Sequence, residues 1–300
     1  MHKVNPPLSH HHLVRAKNVK NDELYTPLSS IVQEMRHYRQ SFRDKTVYCN
    51  CDNPNSYFVI FFIIYFYNLG LKRLIATGIG DSCIDFNGKT MKVCHIDGDF
   101  RSAECQALLR QADIVVTNPP FSFFREYMQM LIDSGVQFLV IGPMTAISYK
   151  TLFPYLASGK IRIGHTLPNV FIDPDGNEVN LTGLCRWFTN LDSDSPKPIR
   201  MFTANYHPSL YQQFDHYPAI NVDRTKDIPC DYNGLMGVPI TALEHLDTNN
   251  YEIVDLIARY AVIDHSHDVK GHQLTEVNGN PKFSRLIIKK RIINIKTQAA

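Results

Sequence analysis

Asn118-Pro119-Pro120-Phe121 closes an apolar run, Ala112 to Thr117, in which Ile114, Val115 and Val116 follow one another. Such a run predicts a strand buried on both faces, and two prolines without N–H donors must end it. In the rigid turn that results, the Asn118 side-chain oxygen and the Pro119 carbonyl can be held as two acceptors facing one point, with the Phe121 ring beside them. That arrangement suits an exocyclic amino group on a flat base. Such an amine is a poor nucleophile because its lone pair is delocalised into the ring. Two acceptors binding both of its hydrogens favour a tetrahedral nitrogen, while the phenyl ring stacks on the base. No charged general base is then required. The bare tetrapeptide also reads as a structural turn; its position after a buried strand and before a helix favours the chemical reading.

The elements around it must place it. Ser122 to Ser134 carries Phe124, Tyr127, Met128 and Leu131 at helical spacing, so strand, turn and helix put Asn118 to Phe121 at the carboxyl edge of a sheet, where open α/β folds bind ligands. Upstream, Thr46 to Cys51 predicts a strand ending at Asp52-Asn53-Pro54, Asn55 to Leu69 a helix stopped by Gly70, and Leu71 to Thr77 a second strand. This βαβ pattern implies a parallel sheet. Thr26 is read as an N-cap with Pro27 at the first helical position, followed by Leu28, Ile31, Val32 and Met35,. Asn87-Gly88 signals a type I′ hairpin, taken as an excursion from the sheet. Ser102 is read as capping a helix from Ala103 to Gln111.

Four segments, Asp22-Glu23-Leu24-Tyr25-Thr26-Pro27, Cys49-Asn50-Cys51-Asp52-Asn53-Pro54, Gly98-Asp99-Phe100-Arg101-Ser102 and Asn118-Pro119-Pro120-Phe121, occur in this order. With Trp187-Phe188-Thr189-Asn190-Leu191, Asp231-Tyr232-Asn233-Gly234 and Met236-Gly237-Val238-Pro239, they resemble the EcoRI-type adenine-specific DNA methyltransferases from about Asn21 to about Arg291. The resemblance implies an α/β fold, a Rossmann-like class I SAM-dependent methyltransferase sheet with a C-terminal α+β target-recognition region. It implies transfer of a methyl group from S-adenosylmethionine to the N6 amino group of adenine in duplex DNA, with the base flipped out of the helix, and no metal. Asn118, Pro119, Pro120 and Phe121 are then the catalytic residues. Tyr25 and Thr26 would close over the cofactor; the glycine-rich loop usual after the first strand is missing, so Asp52 and Pro54, then Asn50 and Cys51, lead as cofactor contacts. Asp99 and Phe100 stand where related folds hold the adenine ring of the cofactor. Double-stranded DNA is the implied partner, and a cognate restriction endonuclease encoded nearby stays open. RNA adenines, protein glutamines, and a non-catalytic DNA-binding module on this scaffold are the competing readings.

Composition bounds the rest. The chain has 300 residues, 44% hydrophobic and 20% charged, with a net charge of +2, which is ordinary for a globular protein and neither demands nor excludes a polyanion. Seven cysteines without zinc-ribbon spacing, and without a secretory signal, point to reduced thiols in a cytoplasm. The apolar run Tyr57 to Tyr67 is too short for a span of ~20 residues and reads as a buried helix. Three regions are expected: a flexible amino terminus over 1–20 that includes His10-His11-His12, a cofactor-binding catalytic domain over 21–190, and a recognition region over 191–300. In the last, short strands surround one helix-like segment, Asn250 to Tyr260, and the basic stretch Lys282, Arg285, Lys289, Lys290 and Arg291 is offered as the phosphate-contacting tail,. A solvated edge strand explains the same lysines. His265, His267 and His272 lack the further ligands that a metal site needs.

Overall fold

A computed structural model of the chain describes residues 24–80, 82–257 and 274–291. The amino-terminal histidines and His265, His267 and His272 lie outside these residues. The chain forms two compact units, 24–146 with 164–195, and 147–163 with 196–291.

In the first unit, strands β1 (Thr46–Cys49), β2 (Arg73–Gly78), β3 (Ser82–Phe86), β4 (Met91–Cys94), β5 (Ile114–Thr117) and β6 (Gln137–Pro143) are followed by a small hairpin, β7 (Val170–Ile172) and β8 (Glu178–Asn180), and by β9 (Cys185–Thr189). Seven strands of the main sheet lie here, in the order β4-β3-β2-β1-β5-β6-β9. β2, β1, β5 and β6 run parallel, with Val47 opposite both Leu74 and Ile114; β9 returns antiparallel to β6, and β3 and β4 antiparallel beyond β2. The Asn87-Gly88 segment therefore does not leave the sheet, as expected, but turns its edge. Its loop runs over four residues because the Asn87 side chain accepts from the N–H groups of Lys89 and Thr90. That edge also corrects the expectation that all seven thiols are reduced: Cys83 and Cys94 face each other in register, with Cα atoms 4.8 Å apart, and are disulfide-bonded,.

Helices cover both faces of the parallel strands, which is why β1 and β5 are buried throughout,. Helices α1 (Leu28–Met35), α2 (Tyr57–Ile64) and the short α3 (Phe66–Leu69) pack with Val47, Leu74, Ile114, Val116 and Trp187 into one core. α2 starts where Ser56 Oγ accepts from Val59 N at 3.2 Å, and α3 ends at left-handed Gly70,. α4 (Ala103–Leu109) is capped by Ser102, whose hydroxyl accepts from Cys105 N. α5 (Phe124–Ser134) buries Phe124, Tyr127, Met128 and Leu131, the four positions that its spacing predicts, and ends at left-handed Gly135. No described helix is long and apolar enough to cross a membrane.

The second unit contains α6 (Phe153–Ala157) and a sheet in which β10 (Ile220–Asn221), β11 (Met236–Pro239), β12 (Tyr251–Ile257) and β15 (Arg285–Lys290) take the order β10-β11-β15-β12. β13 (Glu276–Val277) and β14 (Asn280–Pro281) form a hairpin through Asn278 and Gly279, both at positive φ. Over Tyr251 to Ile257, β12 corrects the helical reading of Asn250 to Tyr260, whose last three residues lie outside the described ones: cross-strand pairing with β15 from Tyr251–Lys290 to Ile257–Arg285, with an irregularity between Ile253 and Asp255, decides the local conformation,.

Candidate active site

In the parallel strands, β1 has β2 on one side and β5 on the other, so the chain order reverses between β1 and β5. Loops leaving the carboxyl ends of adjacent strands in such a sheet open a crevice there. Those loops are Asn50–Ser56 and Asn118–Phe123. Together with Leu24–Thr26 and Gly98–Arg101 they line one cavity in the first unit.

Asn118 is held from the amino-terminal side. Its Nδ2 donates to the Leu24 carbonyl at 2.7 Å, while its Oδ1 is buried and accepts no hydrogen bond. Pairing one end of the amide fixes which way the other points, and the end left over is the acceptor. The strap that carries Leu24 is itself fixed, because Tyr25 exchanges both backbone hydrogen bonds with Ile172 at 2.8 Å. Thr26 follows it. It was expected to cap α1, but Pro27 occupies the cap position and Thr26 Oγ1 is buried without a partner in the cavity wall. The extended backbone at Pro27 carries the chain into the helix without the side-chain cap.

Asp52 and Thr117 join the two loops. The Thr117 hydroxyl donates to the Asp52 carboxylate, so the residue before Asn118 is tied to the residue before Asn53. Burial pushes the Asp52 carboxyl up to about 7, opposed by hydrogen bonds from Thr117 and Ser56,. Burial, and then the nearby Asp52, push the Cys51 thiol well above its ordinary range, which keeps it un-ionised,. Asp99 lies across the cavity. Its carboxylate takes two bonds from the Arg101 guanidinium, at 2.9 and 2.6 Å, and these hold it below the usual carboxylate range. The same guanidinium lies 4.5 Å from the Phe123 ring centroid and 5.4 Å from that of Phe100,.

Of the residues expected at the site, Tyr25, Thr26, Cys51, Asp52, Asp99, Phe100, Asn118 and Pro120 line the cavity; Asn50, Pro54, Pro119 and Phe121 are not among its lining residues. Asn50 is buried and accepts from the Tyr127 hydroxyl, which makes it a brace between β1 and α5 rather than a cavity contact. The half-buried Phe121 ring meets Phe124 edge-on at 6.5 Å and packs on the core. Phe123, 40% exposed, Arg101 and Asn53 line the cavity without having been singled out. The run Phe121-Ser122-Phe123-Phe124 offers three rings, and only the backbone turn decides which of them faces the cavity. The glycines absent after β1 are supplied elsewhere: a Cβ on Gly78 would fall 2.4 Å from Asn53 Oδ1, and one on Gly98 would fall 1.9 Å from the Gly78 carbonyl oxygen,.

In the second unit the basic stretch is largely engaged. Arg285, expected in a phosphate-contacting tail, is buried, with its guanidinium bonded to Asn221, Asp223 and the Phe283 carbonyl. The guanidinium satisfies neighbouring acceptors instead of facing solvent. Lys282 pairs with Asp223 at 3.4 Å, Lys290 donates to the Cys230 carbonyl at 2.7 Å and Arg291 to the Thr248 carbonyl at 3.1 Å. Lys289 is exposed, opposite Glu252 on β12.

Comparison with known proteins follows the same residues. The chain matches the family described as "Adenine-specific methyltransferase EcoRI" over residues 12–95 and 79–291. It is 38% identical to the type II methyltransferase M.EcoRI of Escherichia coli, covering 93% of this chain and 96% of the relative. Identity is 37% to M.MgeORF184P of Mycoplasma genitalium, over 94% of this chain and 100% of the relative. It is 35% to M.MpnI of Mycoplasma pneumoniae, over 94% and 98%; both are also named type II methyltransferases. No solved structure gives a significant match.

Proposed function

The chain belongs to the EcoRI-type family of adenine-specific methyltransferases, and from that premise we propose that its Asn118–Phe121 turn holds the N6 amino group of an adenine extruded from duplex DNA. The chain is a type II adenine-specific DNA methyltransferase. The finer reading concerns the cofactor, the residues and the state of the target base.

S-adenosylmethionine, bound in the cavity beside the turn, supplies an electrophilic methyl group on its sulfonium. Its ammonium, ribose hydroxyls and exocyclic amine are donors. The cavity matches them with acceptors, since Thr26 and Asn53 each present a buried oxygen without a partner. Tyr25 and Thr26 belong to a strap fixed to β7 on one side and to Asn118 on the other. Phe100 offers apolar surface, and Asp52, tied to Thr117, couples the cofactor loop to the methyl-accepting loop. A sheet whose parallel strands β2-β1-β5-β6 are extended by antiparallel β9 supports a class I methyltransferase fold for the first unit.

The target amine lies inside the base stack, so the adenine must be flipped out at a cost of a few kcal/mol. Once it reaches the turn, Asn118 Oδ1 and the Pro119 carbonyl accept its two hydrogens and localise the nitrogen lone pair, while Phe123, the ring of this run that lines the cavity, bounds the flat face of the base. Positioning and these fixed acceptors supply the rate. The second unit is assigned to the DNA, with exposed Lys289 as the first candidate for a phosphate contact and Lys282, Lys290 and Arg291 as further ones.

The observation that carries this reading is the Asn118 amide, anchored through Nδ2 and free at Oδ1. Asn118→Ala is expected to lower turnover on DNA about 100- to 1,000-fold while cofactor and DNA affinities stay close to wild type. Near-normal turnover in that variant contradicts it.

A further inference from the structure

Among the described residues, five buried side-chain polar atoms lack a hydrogen-bond partner: Thr26 Oγ1, Asn53 Oδ1, Asn118 Oδ1, Thr151 Oγ1 and Trp187 Nε1. Three of the five line a single cavity. Buried polar groups are ordinarily satisfied, because leaving one unpaired forfeits its full hydration. Orphans gathered around one space point to partners that arrive with a ligand. Asn118 faces the target amine in the reading above, and the Thr26 hydroxyl can donate or accept. Asn53 Oδ1 can only accept.

The place of this oxygen is set by close backbone approach. Gly78, at the end of β2, has no room for a Cβ, which would fall 2.4 Å from Asn53 Oδ1 and 2.7 Å from the Asn53 nitrogen. Gly98 in turn lies against the Gly78 carbonyl oxygen, so the backbone at Asn53, Gly78 and Gly98 is closely packed at this wall of the cavity. Next to it, Asp52 is anchored by its N–H to the Thr77 carbonyl at 2.9 Å and by its carboxylate to Thr117. Asn53 thus lines the cavity, with a buried Oδ1 that packs against Gly78 and accepts no hydrogen bond.

We infer that Asn53 is a cofactor-binding residue whose Oδ1 accepts a hydrogen bond from a donor of S-adenosylmethionine: the ammonium, a ribose hydroxyl or the exocyclic amine. The inference rests on the S-adenosylmethionine reading of the cavity. It makes the residue beside the buried acid, and not a glycine-rich loop, the side-chain contact from the β1 turn.

Calorimetric titration of the full-length chain tests it, with S-adenosylhomocysteine and four analogues each lacking one donor. These are methylthioadenosine without the amino-acid end, the 2′-deoxy and 3′-deoxy forms, and the inosine form. Asn53→Ala is expected to weaken S-adenosylhomocysteine about 5- to 50-fold. It is expected to bind the analogue that lacks the partnered donor as wild type does, and the analogue so identified names the donor. Asn53→Asp, which keeps an acceptor, is expected to recover most of the loss. Asn53→Leu keeps the volume without the acceptor and carries the same comparison if the alanine variant does not fold. Unchanged affinity in the variants, or an equal loss for every analogue, overturns the inference alone. Failure of the wild type to bind S-adenosylhomocysteine overturns the cofactor reading with it.

Discussion

Asp52 is a buried acid whose carboxyl titrates near neutrality, at about 7, because burial outweighs the hydrogen bonds from Thr117 and Ser56. In the unfolded chain the same group titrates at about 3.9. Between these values the unfolded state gives up its proton while the folded state keeps it, so the folded state binds more protons and stability falls as pH rises from about 4 to about 7. Asn at this position keeps an acceptor for the Thr117 hydroxyl and removes the titration. Asp52→Asn is therefore expected to flatten the fall in unfolding free energy over this pH range, by roughly a few kcal/mol relative to wild type, as measured by urea unfolding at several pH values. A pH profile parallel to wild type contradicts the assignment. At this scale residue type and position sufficed to bring Asn118, Asp52 and Asp99 to one place, and all three line the cavity. Only the capping reading of Thr26 fails, because a threonine before a proline carries the same local signal whether its hydroxyl caps a helix or lines a cavity. The burial of Arg285 was not legible because it depends on Asp223 and Asn221, more than sixty residues away in sequence.

Helix α1 follows the strap Leu24–Thr26 that is proposed to cover the cofactor. Its Glu34 is fully buried, and its carboxylate accepts from the Tyr38 hydroxyl at 2.9 Å, the N–H groups of His165 and Thr166 at 2.8 and 2.7 Å, and the Thr166 hydroxyl at 2.6 Å. Glu34→Ala leaves these donors unpaired and is expected to cost about 3 kcal/mol. It is also expected to weaken S-adenosylhomocysteine binding, since Tyr25 and Thr26 directly precede α1. Thermal unfolding and calorimetry on the same sample check both, and a stable variant with normal binding contradicts this role. Periodicity made α5 legible residue by residue, and β1, β2, β5 and β6 stood out as apolar runs with turn signals. The β3–β4 hairpin was signalled by Asn87-Gly88, but its place on the sheet edge and strand β12 were not, because these come from pairing with β2 and β15 rather than from local residues.

For the whole molecule, the net charge of +2 gives little general attraction for DNA, so affinity must come from local cations. Most of the carboxyl-terminal basic residues are engaged within the second unit, whereas Lys289 is exposed. Lys289→Ala is expected to weaken DNA binding and to reduce the slope of log affinity against log salt by about 1. Arg285→Ala is expected to lower stability by about 1–3 kcal/mol with the salt slope of the folded protein unchanged. The reverse pattern would move the interface to Arg285. The central claim is that the cavity and the turn together place a methyl group on the N6 of adenine in DNA. Its most direct test is incubation of unmethylated duplex DNA with the full-length protein and methyl-labelled S-adenosylmethionine, followed by mass spectrometry of the released nucleosides. The account predicts label in N6-methyladenine with wild type and its loss with Asn118→Ala; label in cytosine, in RNA or in protein, or undiminished label with the variant, would contradict it.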